Sequence, residues 1–151
     1  PDFFRSLLKN QKLILRSPNS VRPWQHVLDP LYGYLLLLMK LDKKKIVTGS
    51  SFNFGPNNSS NKTVNEVIDL INKNFNNSVK IIKKKSSSKI YKESKVLMLN
   101  SNNSKKTLKW NAKYDIRQSI SLTSVWFKLL MDEKNKDFLK VTQDQIRNYL
   151  N

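Results

Sequence analysis

The chain has 151 residues, 38% of them hydrophobic and 26% charged, with a net charge of +17; that is enough to build a core, and the length suits one domain or one part of a larger α/β enzyme. Zero cysteines and a single histidine exclude a disulfide scaffold, a thiolate or His-cluster metal site and a cysteine nucleophile. The longest apolar run, residues 31–41, is broken by Gly33 and Lys40 and falls short of the roughly 18–20 residues of a membrane span, so a soluble, cytoplasmic protein without a membrane partner is expected.

In chain order, Pro1-Asp2 followed by Phe3, Phe4, Leu7 and Leu8 reads as an amphipathic helix, with neither the basic start nor the cleavage site of a leader. Residues 12–16 carry the short apolar run Leu13, Ile14, Leu15 of a strand, and Pro18-Asn19 marks a turn. Residues 21–28 are expected to be extended because of Pro23 and β-formers. Asp29-Pro30 then reads as an N-cap and first helical position, opening a helix to about Lys40. Its near-complete apolar surface (Leu31, Leu35, Leu36, Leu37, Leu38, Met39) predicts burial against several neighbours. After a polar stretch closing that helix, residues 51–56 read as a strand ending in a turn.

Thr63 with Glu66 is a capping box for a helix bearing Val64, Val67, Ile68 and Ile71 on one face. Residues 79–82 form a strand candidate, 83–89 a polar loop, 96–99 a further strand candidate and 104–110 a short helix. Asp115 and Gln118 start another helix, with Ile120, Val125, Trp126, Leu129 and Leu130. Thr142 is expected to cap a last helix over residues 143–150. Strands alternating with helices indicate an α/β fold. With no internal repeat and no linker, residues 1–151 read as a single unit.

The charge invites a phosphate-bearing or nucleic-acid partner. The excess, however, is lysine rather than arginine, is accompanied by abundant asparagine, and is spread over residues 43–45, 83–85 and 105–106. A nucleic-acid surface favours arginine clustered with aromatics. The expectation is therefore compositional drift with local phosphate contacts and no nucleic acid. A basic nucleic-acid-binding module stands as the alternative of a different class.

Three glycines, Gly33, Gly49 and Gly55, cannot make a Gly-x-Gly-x-x-Gly turn, and neither a Walker loop nor a Gly-x-Ser-x-Gly elbow is present. The densest stretch is Val21-Arg22-Pro23-Trp24-Gln25-His26-Val27. Arg22 is one of five arginines, and a planar bidentate donor suits a phosphate or carboxylate as well as it suits a surface ion pair. Trp24 reads as a core residue. His26 reads as structural, with no Ser or Asp partner apparent to make it a base.

The run Arg16-x-Pro18-Asn19-x-x-Arg22-Pro23-Trp24-Gln25-His26-Val27-Leu28-x-Pro30-Leu31-x-Gly33-Tyr34 resembles the signature of the CDP-glucose 4,6-dehydratases. These are extended short-chain dehydrogenase/reductase enzymes, beside dTDP-glucose dehydratases and UDP-galactose epimerases. Phe52-Asn53-Phe54-Gly55-Pro56, Lys92-Glu93-Ser94, Leu108-Lys109-Trp110 and Val125-Trp126-Phe127 match in order. The likeness extends over essentially the whole chain but corresponds only to the family's C-terminal, substrate-binding portion of a Rossmann-type fold, with the N-terminal cofactor domain largely missing.

The resemblance implies that Arg22 contacts the sugar-nucleotide pyrophosphate. It implies that Glu93 holds Arg22 by an ion pair, although Lys92 and Ser94 replace the family's His and Ala. Asn53 lies at a strand end near the ligand in the family, where its amide could bond sugar or phosphate; satisfying local backbone is an equal alternative. In the family a tightly held NAD oxidises the sugar at C4, water leaves across C5–C6 and the hydride returns to C6, with a Tyr-x-x-x-Lys pair moving protons. The product, CDP-4-dehydro-6-deoxy-D-glucose, feeds deoxysugar and surface-polysaccharide synthesis. Tyr91 and Lys95 have that spacing, but the family's pair lies on a long helix upstream of Pro1. This chain is therefore expected to contain no catalytic, NAD-binding or metal-binding residue, to be inactive alone, and to bind a CDP-sugar within a full-length homo-oligomer. The nearest alternative is another nucleotide-sugar dehydratase or epimerase of the same superfamily.

Overall fold

The structure, a computed structural model, describes residues 1–43, 49–57, 60–84, 94–132 and 137–151. Helix α1 (Asp2–Leu8) leads into strand β1 (Leu13–Leu15), then β2 (Val21–Pro23), α2 (Leu28–Asp42), β3 (Asn61–Thr63), α3 (Val64–Asn74), β4 (Ile81–Lys83), a wide π-type turn (Ser104–Leu108), α4 (Ile116–Met131) and α5 (Phe138–Leu150). Strand β1 pairs parallel with β4, Leu13 opposite Ile81 and Leu15 opposite Lys83. Strand β2 pairs antiparallel with β3, Arg22 opposite Lys62.

Both expected capping boxes form. Thr63 accepts from the Glu66 amide while Glu66 accepts from the Thr63 amide, and Asp115 and Gln118 do the same at α4. Helix α3 thereby presents Ile68 and Val67 to two separate cores. One holds Phe3, Phe4, Leu13, Leu15, Ile68, Phe75 and Val79; the other joins Val67 to Ile116 and Ile120, with Trp24 against it. A third core gathers Phe54, Leu108, Trp110 and Ala112 beneath α2. Trp24 is thus packed against core, as expected.

Several elements differ from the sequence expectation. Helix α2 starts at Leu28 with Val27 at the N-cap position, and Asp29 lies inside the first turn with no capping bond to its own helix. Its carboxylate points inward instead, to Lys113 and Tyr149. Only Asp29 and Gly33 of α2 are buried, while Leu31, Tyr34, Leu35, Leu38, Met39 and Leu41 are exposed. The cause is one-sided packing: Leu36 and Leu37 rest on the Phe54–Trp110 core, and the opposite side of α2 faces outward.

Residues 51–56 form no strand, because their carbonyls are taken by side chains: Phe54 O by Gln25 and Asn53 O by Ser104. Residues 96–99 make one bridge, Val96 to Val21, and no ladder. The strand expected at 79–82 begins at Ile81, since Val79 is engaged at both N–H and C=O by the Asn72 amide. The helix expected over 104–110 is the π-type turn, ended by Lys109 in the left-handed region at φ +58°. Helix α5 starts at Phe138 with Asp137 as its cap; Thr142 is internal and accepts instead from Trp126 Nε1. The 83–89 loop lies mostly outside the described residues. No helix among the described residues is long and apolar enough to cross a membrane.

Candidate functional site

Arg22 is set in the middle of β2. On one side β3 pairs with it; on the other, Val21 N–H donates to Lys95 O at 2.8 Å and accepts from Leu97 N–H through its carbonyl at 3.1 Å. Pro23, lacking an N–H, ends the strand. The half-buried guanidinium is braced by Nη1, which donates to Val21 O at 2.8 Å and to Ser94 O at 3.1 Å. Directly opposite Arg22 in the register is Lys62, so the two cations share one face of the ribbon. Lys62 is balanced at 3.6 Å by Glu66, whose carboxyl is held below its ordinary value by the Thr63 hydrogen bonds first and by Lys62 after them.

Glu93, with Tyr91 and Lys92, lies outside the described residues; its neighbour Ser94 is the residue whose carbonyl Arg22 reaches. Asn53 is exposed in an irregular segment rather than at a strand end, and its Nδ2 donates to Asn100 O at 3.4 Å. The Arg22 and Asn53 segments are joined by Gln25 Nε2, which donates to Phe54 O at 2.7 Å. Gly55 fixes the far side: its N–H donates to Ser101 Oγ at 2.7 Å, and a Cβ there would sit 2.6 Å from Leu99 Cβ. Four residues beyond Arg22, His26 is buried edge-to-face with Tyr114 at 5.6 Å, and burial lowers its pKa against the opposing charge of Asp29. This matches the structural reading of His26.

Sequence reasoning missed the cluster behind this segment. Asp29 is 0% exposed; its Oδ1 accepts from Lys113 N–H at 2.7 Å and from Tyr149 OH at 2.9 Å, and its carbonyl from Trp110 Nε1 at 2.9 Å. Burial, then the bond to Asp29, pushes the Tyr149 phenol up, so it remains a donor. Tyr114 is likewise raised, by burial and then by the Asp29 charge. The one available signal was Asp29 itself, whose capping chemistry is also that of a long-range acceptor.

Two crevices flank these residues. One, of about 230 Å³, is mainly apolar, between His26, Val27, Trp126, Phe127 and Ile146. The other, of about 490 Å³, mixes Lys62, Lys73 and Arg117 with Glu66, Asp69 and Asp115; balanced charge gives it no preference for an anion. Among the described residues no group of three His, Asp or Glu could hold a metal ion. Gly33 and Gly55 are close-packed, against Phe54 and against Leu99 with Ser101 respectively.

Comparison with known proteins bears on this geometry. No family model matches the chain. Over 69 residues, 46% of this chain and 19% of the relative, it is 44% identical to CDP-glucose 4,6-dehydratase of Salmonella typhimurium. Its structure is similar to dTDP-glucose 4,6-dehydratase from Bacillus anthracis in complex with NAD, at TM-score 0.63 and 22% identity over 83% of this chain and 37% of that one. UDP-glucuronic acid 4-epimerase from Bacillus cereus, in complex with UDP-glucuronic acid and NAD, matches at TM-score 0.70 and 16% identity over 85% and 39%. UDP-glucose 4-epimerase from Thermotoga maritima, with UDP-glucose, matches at 0.66 and 18% over 86% and 39%. The chain thus has the fold of part of an extended short-chain dehydrogenase/reductase, as expected, and spans well under half the length of these relatives. The sequence resemblance to CDP-glucose 4,6-dehydratase is likewise found.

Proposed function

We propose that residues 1–151 form one unit, the C-terminal substrate-binding part of an NAD-dependent CDP-glucose 4,6-dehydratase, a hydro-lyase acting on CDP-D-glucose in the cytoplasm as a homo-oligomer. The observation that carries this reading is the 44% identity to the Salmonella dehydratase over 69 residues. In this reading Arg22 binds the diphosphate. Its guanidinium is already oriented by two backbone carbonyls, which reduces the entropy lost when it meets an anion; Lys62, opposite it in the ribbon, is neutralised by Glu66 and leaves Arg22 as the anion-binding cation. Asn53 contributes an exposed amide to sugar or phosphate, and the family likeness implies that Glu93 pairs with Arg22. NAD, bound by another part of the enzyme, supplies the hydride chemistry. The residues of this chain bind and orient the substrate, and alone they do not turn it over. The exposed apolar side of α2 packs against the rest of the enzyme.

A nucleotide-sugar epimerase or dehydratase using another base is the second reading, favoured by the UDP-sugar-bound neighbours. Titration calorimetry with CDP, UDP and dTDP separates the two. CDP is expected to bind tightest, and Arg22→Ala to weaken it about 10- to 100-fold, the worth of a charge-assisted hydrogen bond. Preference for UDP or dTDP would move the assignment to the second reading. Undiminished CDP binding by Arg22→Ala, together with steeply salt-dependent binding to duplex DNA, would replace both with the nucleic-acid module.

A further inference from the structure

We propose that Asp29 and Tyr149 are a positioning pair, through which the C-terminal helix sets the placement of the segment 22–26 and thereby the affinity of Arg22 for a nucleoside diphosphate; the inference rests on the reading of Arg22 above.

The segment 22–29 is fixed at both ends and in between. At its start Arg22 is laddered to β3. In the middle Trp24 Nε1 donates to Lys62 O at 2.9 Å and Gln25 to Phe54 O. At its end Asp29 is tied to three distant places: Trp110, Lys113 and Tyr149. Of these, Tyr149 is on the last turn of α5, 120 positions away. Lys113 binds that turn a second time, its Nζ donating to Tyr149 O at 2.8 Å and lying 5.5 Å from the Tyr149 ring centroid.

The carboxylate is fully buried, yet its Oδ2 has no hydrogen-bond partner among the described residues. An unsatisfied buried oxygen costs stability. A cost of this kind, borne in the first turn of α2 just beyond the Arg22 segment, fits a carboxylate kept to hold that segment in place. A hydrogen bond between residues so far apart in sequence fixes position more than it fixes local conformation. Without the Tyr149 contact, Asp29 keeps its hydrogen bonds to Trp110 and Lys113, and His26 keeps its edge contact with Tyr114, but the tie to α5 through the carboxylate is gone.

The test is a double-mutant cycle on the intact protein, reading CDP affinity by calorimetry and folding by thermal melt. Tyr149→Phe keeps the ring and removes only the hydroxyl; it is expected to weaken CDP binding about three- to tenfold, the loss of one hydrogen bond acting on the site. In an Arg22→Ala background the same change is expected to have less than about a twofold effect, because the route to the ligand is gone. Equal effects in both backgrounds, or no effect on CDP beside an intact Arg22, overturn the positioning role. If Arg22→Ala itself leaves CDP binding unchanged, the functional reading fails, and the cycle distinguishes this from failure of the pair. Asp29→Ala is expected to reproduce the Tyr149→Phe loss; should it fail to fold, Tyr149→Phe alone carries the test.

Discussion

His26 shows how burial sets the behaviour of a lone titratable group. Its pKa is lowered from 6.5, by burial more than Asp29 raises it, so the folded protein holds the neutral imidazole over a range where the unfolded chain binds a proton. Where the unfolded state binds more protons, stability rises with pH. The His26 contribution is therefore fully present above pH 6.5 and is lost as pH falls through the depressed folded value. Urea unfolding at about pH 7.5 and about pH 5 checks this, and His26→Gln is expected to flatten the part of the slope just below pH 6.5. A variant with the parent's slope there would assign the dependence to other groups. At the alkaline end the sign reverses: Tyr149, raised by burial and Asp29, adds stability that is present below its unfolded value and lost as pH rises through the folded one.

At the scale of elements, α2 and the segment beneath it depend on Gly33. A Cβ at Gly33 would lie 2.3 Å from the Phe54 ring, a distance the aromatic cannot accept without leaving its place against Trp110. Gly33→Ala is expected to destabilise the fold by about 1–3 kcal/mol despite the better helix propensity of alanine. It is also expected to displace Asn53 and Gly55 along with Phe54. Chemical denaturation measures the first effect, and tryptophan fluorescence of the folded protein in a Trp24→Phe, Trp126→Phe background, which leaves Trp110 as the emitter, the second; an unchanged midpoint would mean the ring shifts freely. The capping boxes at Thr63 and Asp115 were legible because both partners are three residues apart and the chemistry is local. The strand expected at 51–56 was not, because strand formation needs a neighbour that pattern alone cannot supply, and here side chains from Gln25 and Ser104 claim the carbonyls.

For the whole molecule, the exposed side of α2 is the dominant feature. Leu31, Leu35 and Leu38 recur at helical spacing and all are exposed, with Tyr34 and Met39 beside them, and apolar patches of this kind mark contact surfaces. The 151 residues alone are expected to self-associate at high micromolar concentration despite the net charge of +17. Leu35→Lys with Leu38→Lys is expected to restore a single monomeric species in sedimentation velocity without loss of helicity. A parent chain that is monomeric from the outset would show that the face tolerates water. The apolar composition of α2 predicted burial against several neighbours; the structure packs one side only, and among the described residues nothing covers the other.

By itself the sequence determined the α/β class and the two capping boxes, which rest on residue chemistry and short-range spacing. It also carried the family likeness, and that likeness is what nominated Arg22 for an anion. Only the tertiary structure decided that Asp29 turns inward to Lys113 and Tyr149 instead of capping its own helix. It alone decided that Gln25 ties the Arg22 segment to the Asn53 segment and that Arg22 is braced by the carbonyl of Ser94. Those are contacts across 29 to 120 positions. A hydrogen-bonding side chain reveals its capacity locally, whereas its partner is fixed only when packing brings distant backbone within reach.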